Sequence, residues 1–202
     1  MLNKDILSLV TQETSCAYAE ELTQEDISAL IDLLCSKENS TRYSAFLLLR
    51  ARSAFAHDVY PYWDTLAVKL HDVNSYQRSI GAMLLAANAR WDTQGKARGC
   101  LAQYLALLND EKPITVRQCV QSLADIALAQ HALAGEISAA LIRVNPMRIQ
   151  ENMRKLVLSD ILEALLAIRT VVKESAVDEY ILSALSGNIL DNKSKKKFRA
   201  QI

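Results

Sequence analysis

The sequence predicts an all-α chain built from repeated pairs of amphipathic helices. Half of its 202 residues are hydrophobic, with only five glycines and three prolines. That is ample for a buried core and too poor in breakers for a fold of many short strands. No run alternates apolar and polar residues with the period of two that a half-buried strand needs. Most telling, one stretch recurs: residues 39–52, NSTRYSAFLLLRAR, return as 74–87, NSYQRSIGAMLLAA, and again as 115–127, TVRQCVQSLADIA. Each copy has a polar turn, an arginine, a slim residue three places on and an apolar residue seven places on.

The arginines are Arg42, Arg78, Arg117 and Arg154, spaced 36, 39 and 37 residues apart. Ala45, Gly81, Val120 and Val157 lie three residues after them, and Leu49, Leu85, Ala124 and Ile161 seven after. Positions 0, 3 and 7 share one face of a helix, and a slim residue there lets a neighbouring helix approach closely. The preceding helices end at Leu34, Leu70, Leu108 and Val144, each with apolar residues three, four and seven places earlier. A lone helix pair cannot bury both stripes, whereas stacked pairs bury a continuous core. The expected architecture is a right-handed α-α superhelix, an α-solenoid, of about four to five helix pairs.

In chain order, residues 1–21 are expected to form a leading helix, apolar at Ile6, Leu9 and Val10, that caps the first pair. Thr23 caps the next helix, 24–36, with Asp26 completing a short-armed capping box. The pairs fall at about 23–55, 58–91, 94–131, 135–172 and 175–202, in a single domain spanning 1–202. Asp58 reads as a helix cap, with Pro61 tolerated in the first turn. Residues 110–115, including Pro113, read as a turn. Asn145-Pro146 breaks the fourth pair, where Arg148 competes with Arg154 as the anchor, and a long helix follows over 147–172. The chain ends in KKKFRAQI, an incomplete last helix.

These units resemble HEAT repeats of the armadillo-like class, in which a turn leads into a second helix opening with an arginine and small apolar residues. TVRQCVQSL, residues 115–123, is the nearest match, and the resemblance covers about 23–199. The period is shorter than the ~40–47 residues usual for the class. The resemblance implies a non-enzymatic scaffold that binds a protein or peptide on its concave face, and it implies no cofactor. Some HEAT-like proteins are alkylpurine DNA glycosylases that use tryptophans and an aspartate in a basic groove. Trp63-Asp64 and Trp91-Asp92 prompt that alternative reading. A lyase or maturation chaperone built from such repeats is a third.

The second helices of HEAT-type repeats line the concave face. On that basis the candidate binding strip is Tyr43, Leu47, Arg50, Ser79, Met83, Ala86, Gln118, Ser122, Asp125, Lys155, Ser159 and Leu162, one, five and eight residues after each anchor. Leu47 and Met83 stand where a solvated helix prefers charge; with the register shifted by one, they read as core instead. The anchor arginines Arg42, Arg78, Arg117 and Arg154 are expected to bond turn carbonyls or an acidic neighbour rather than phosphate. Tyr60, Tyr62 and Tyr76 read as an interface patch or as packing at repeat edges.

Formal net charge is zero, from 23 basic and 23 acidic residues, which argues against nucleic acid as a bulk partner. Residues 1–40 nevertheless hold eight acidic and two basic side chains, and Lys193, Lys195, Lys196, Lys197 and Arg199 make a basic tail. The tail could meet RNA, DNA or an acidic protein, or stay solvated, and opposite charge at the two ends could favour weak head-to-tail association. No apolar run is long enough to cross a membrane, and the N-terminus lacks the apolar core and cleavage site of a signal peptide. Cys16, Cys35, Cys100 and Cys119 show no CxxC pairing and are expected to be buried free thiols in a reducing cytoplasm. His57, His71 and His131 have no partners completing a metal set. No HExxH, GxSxG or glycine-rich phosphate loop is present.

Overall fold

The computed structural model describes the backbone of residues 4–202 and the side chains of 6–202. Among the described residues there are twelve α-helices, six single 3-10 turns and no strand. The helices gather into two compact units, Met1–Lys96 and Ala97–Ile202, a division that the sequence did not signal.

In the first unit the expected leading helix is two short ones, α1 (Lys4–Leu9) and α2 (Ser15–Glu20). Thr14 interrupts it: its Oγ1 accepts from the Thr11 N–H at 2.9 Å and donates to the Leu9 carbonyl at 3.0 Å. Hydroxyls that bond nearby backbone in this way compete with the helix ladder. The chain continues into α3 (Gln24–Leu33) and α4 (Asn39–Ser53). Thr23 and Asp26 close a reciprocal capping box at the start of α3. Then come α5 (Trp63–Val68), entered through a 3-10 turn at Tyr60–Tyr62, and α6 (Ser75–Asn88). Asp58 caps nothing; it binds Arg52 at 2.8 Å, while Arg52 also donates to the carbonyls of Ala19 and Glu20. One arginine thereby closes the C-terminus of α2 against α4. The core is Ile27, Leu30 and Leu34 from the first pair against Leu48, Leu49, Trp63, Leu66, Leu84 and Leu85. The unit ends where Asp92 Oδ1 accepts from the Gln94 and Lys96 N–H groups. Gly95 there has φ +73°, a conformation that costs glycine little.

The second unit begins at Ala97 within α7 (Lys96–Ala106) and continues with α8 (Pro113–Ala129), α9 (Ala134–Ile142), α10 (Glu151–Ile168), α11 (Ser175–Ser186) and α12 (Asn192–Arg199). Pro113, expected in a turn, occupies the first turn of α8, where a missing N–H costs nothing. The long helix expected over 147–172 is shorter, because Asn145 Oδ1 accepts from the Met147 N–H and holds a 3-10 turn at Pro146–Arg148. Helices α8 and α10 pack closely, and α9 lies against both. Tyr104, Val120, Leu123, Leu141, Ile161, Leu165 and Phe198 are buried. Lys197 reaches Glu163 at 2.5 Å and Lys155 binds Asp191, which docks α12 onto α10.

The periodic stripe is expressed in packing. Ala45, Leu49, Gly81, Leu85, Val120, Ala124, Val157 and Ile161 are all buried. Gly81 shows why slimness matters: a Cβ there would lie 2.9 Å from the Leu66 carbonyl oxygen and 2.9 Å from Lys69 Cβ.

Candidate interaction surface

In the first unit the two intra-pair turns face each other across a groove of about 600 Å³. One wall comes from Cys35, Ser36, Lys37, Asn39 and Arg42, the other from Asp72, Asn74, Tyr76 and Gln77. Arg42 donates to the Ser36 carbonyl at 2.8 Å and to Asn39 Oδ1, so its guanidinium is fixed above the turn. It also lies 5.7 Å from the ring centroid of Tyr76, a residue that is 68% exposed. A cation over an aromatic face orients both groups. The floor is polar and saturated. Gln77 donates to the Leu34 carbonyl and accepts from Lys69 Nζ, both at 2.7 Å, and Lys69 Nζ also reaches Cys35 Sγ at 3.3 Å. On the opposite wall Asp72 Oδ1 caps Asn74 N–H, and Asn74 Oδ1 caps Tyr76 N–H. The groove thus offers cations and an exposed ring at its rim.

The second unit has a counterpart of about 500 Å³ lined by Leu108, Asn109, Asp110, Arg143, Val144, Asn145, Arg148 and Ile149. A smaller apolar hollow of about 220 Å³ lies between α10 and α11. Burial pushes the Tyr180 phenol on its edge above its ordinary value.

The anchor arginines divide by partner. Arg78 donates to the carbonyls of Asp72 and Val73, and Arg154 to those of Ile149 and Met147. With Arg42 they tie the second helix to its own turn. Arg117 instead binds Asp160 on α10, and Gln121 donates to the same carboxylate at 2.9 Å.

The expected strip is not a continuous exposed surface. Tyr43, Arg50, Asp125 and Lys155 are exposed, and Met83, Gln118 and Ser159 are half-buried. Leu47, Ser79, Ala86, Ser122 and Leu162 are buried, Leu47 to 4% exposure. The reason is packing on more than one side. Helix α4 meets α1, α2, α3 and α6, and Ser44 Oγ donates to the Leu7 carbonyl at 2.8 Å on the flank expected to be open. A helix covered from several directions buries more than the 0, 3, 7 stripe. Leu47 is therefore core although the 0, 3, 7 stripe keeps its expected register. The cysteines also depart from expectation: Cys100 and Cys119 are buried, whereas Cys16 and Cys35 are exposed free thiols.

The two tryptophan–aspartate pairs are structural. Trp63 is buried, and Asp64 makes a surface ion pair with Lys96 at 2.8 Å. Trp91 Nε1 donates to the Ser53 carbonyl at 2.8 Å. Asp92 accepts from Tyr60 Oη at 2.7 Å, as well as from the two backbone N–H groups named above. Burial and the Asp92 carboxylate together push the Tyr60 phenol up to about 12. The indole beside the exposed Asp64 is buried, and the carboxylate beside Trp91 is 7% exposed. Among the described residues no group of three His, Cys, Asp or Glu side chains could hold a metal ion, and no helix is long and apolar enough to cross a membrane. In the basic tail, Lys193, Lys196, Lys197 and Arg199 are exposed on α12, with Phe198 turned inward.

No family model matches the chain, and no curated protein matches it. Among solved structures, the chain is similar to a crystal structure of an engineered protein from the Northeast Structural Genomics Consortium. The two share 17% identity with a TM-score of 0.49, over 98% of this chain and 92% of that one.

Proposed function

We propose that this chain is a non-catalytic scaffold for a protein or peptide partner, built as a HEAT-like α-solenoid, with a binding surface in the groove between the two intra-pair turns of its first unit. The observation that carries this reading is the convergence of Arg42 and Tyr76, from successive helix pairs, on the rim of one groove. An exposed tyrosine held by a guanidinium loses little freedom on binding, and tyrosine and arginine are favoured at interface hot spots. The polar floor is already bonded within the protein, so a partner need not supply bonds to buried groups. The expected strip contributes only where it is open, at Tyr43 and Arg50 in this unit. Two exposed free thiols suit a reducing compartment, and a cytoplasmic location belongs to the same reading.

The test is selection from a random peptide library against the folded chain, followed by titration of selected peptides by fluorescence anisotropy. A hot-spot tyrosine is worth about 2 kcal/mol or more, so Tyr76→Ala should weaken binding at least ~30-fold while leaving the melting temperature unchanged. A library that yields no binder, or binders indifferent to both Tyr76→Ala and Tyr43→Ala, refutes it. A DNA duplex titrated at about 50 and about 200 mM salt separates the glycosylase-like alternative, because phosphate contacts weaken steeply with salt.

A further inference from the structure

The groove of the second unit differs from that of the first in one respect. Its two arginines, Arg143 and Arg148, are exposed, and their guanidinium groups make no hydrogen bond or ion pair with any described residue. The anchor role that Arg148 could have filled belongs to Arg154, whose guanidinium takes the carbonyls of Met147 and Ile149. Arg148 is therefore surplus to the turn, and its side chain leaves an exposed 3-10 turn whose backbone Asn145 Oδ1 fixes by capping the Met147 N–H. Arg143 follows the last residue of α9, where a cation is favoured by the helix dipole. That accounts for Arg143 alone and leaves Arg148 without a structural reason.

Both guanidinium groups line one pocket, and planar guanidinium forks suit oxyanions in bidentate geometry. The remaining lining agrees. Asn145 spends its oxygen on the cap, which leaves its amide N–H groups free to donate. Asp110 spends Oδ1 on the Lys112 N–H at 2.8 Å. With Asp110 ionised, the lining carries one net positive charge. That matches a single carboxylate better than a dianionic phosphate, which would sit beside Asp110.

We propose that this groove is a carboxylate-binding site that takes an aspartate or glutamate side chain of an extended partner peptide. The inference rests on the peptide-scaffold reading above and names the chemistry that the partner must carry.

The experiment uses the full chain, a fluorescein-labelled octaglutamate peptide, its octaglutamine counterpart and a short DNA duplex. Side-chain Nε–Hε resonances of Arg143 and Arg148 are followed by NMR, and affinities by anisotropy. The expected result is that octaglutamate shifts both arginine resonances and octaglutamine shifts neither. Arg143→Ala with Arg148→Ala should weaken octaglutamate binding at least tenfold without moving the melting temperature. Arg148→Gln serves as the milder variant if the double one folds poorly, and it should weaken binding severalfold. Three results overturn the proposal: equal binding of the two peptides, octaglutamate binding indifferent to the arginine variants (capture by the basic α12), or arginine resonances that move with duplex but not with octaglutamate. If library-selected peptides bind through Tyr76 while octaglutamate fails, this inference falls and the scaffold reading stands. If neither kind of peptide binds, both fall.

Discussion

Arg117 on α8 and Asp160 on α10 form a two-point ion pair that joins successive second helices. Asp160 is 5% exposed and is also held by Gln121. Its hydrogen bond holds the Arg117 guanidinium above its ordinary value. Removing one partner of a buried pair strands the other charge, which costs about 3–5 kcal/mol. Asp160→Ala is therefore expected to cost an amount in that range in urea denaturation, somewhat less where water reaches the quarter-exposed Arg117. Replacing both residues together by apolar ones should cost markedly less than the two single losses added.

Leu47 and Tyr43 lie one helical turn apart on α4, one buried and one exposed. Truncating a buried leucine to alanine costs about 2–5 kcal/mol. Leu47→Ala should lower stability by that amount, and Leu47→Asp should abolish the cooperative thermal transition. Tyr43→Asp should leave the melting temperature within a few degrees of the parent. Parallel melts followed by circular dichroism check the contrast.

Gly81 is a site where better helix propensity should lose. Alanine is favoured over glycine in a helix interior by about 1 kcal/mol. Here the added methyl would meet backbone, the Leu66 carbonyl oxygen, at 2.9 Å. Overpacking of this kind costs about 1–3 kcal/mol, so Gly81→Ala should be net destabilising. Gly99, where a Cβ would meet nothing within 4 Å, is the control: Gly99→Ala should be neutral or stabilising. The denaturant midpoint should fall for Gly81→Ala and hold or rise for Gly99→Ala.

The Lys155 ammonium, together with the Ser194 N–H, holds the Asp191 carboxyl well below the ordinary carboxylate value of 3.8. A depressed folded-state value means that the carboxylate contributes stability above that ordinary value and loses it as pH falls through the folded one. The melting-temperature gap between wild type and Asp191→Asn should be constant from about pH 8 to about pH 5. It should then shrink steadily as the pH falls below 4. Both groups lie at the surface, so salt should narrow the gap at every pH. A gap that widens in acid would contradict the assignment.

The helical class, the places of most helices and the buried stripe were legible because each depends on short-range spacing. Ile27, Leu30, Leu34, Leu85 and Val120 sit on faces set by the 3.6-residue period, and Thr23 with Asp26 caps α3 through bonds spanning three residues. Periodicity says which face is apolar but not how many neighbours will cover the helix. Leu47, Ser79 and Ser122 are buried because other helices arrive from the flanks. The same limit hid the partners. Arg52 with Asp58 and the carbonyls of α2, Arg117 with Asp160, and Arg42 over Tyr76 join groups from different elements. Some of those groups lie 34 to 43 residues apart in the chain, and no spacing rule reaches that far. Sequence alone determined that this chain forms amphipathic helix pairs, because local hydrogen bonding and apolar periodicity dictate that much. Tertiary packing decided which charges are spent on turns and neighbours, and which, like Arg143 and Arg148, are left unpaired, because that depends on how closely the helices approach.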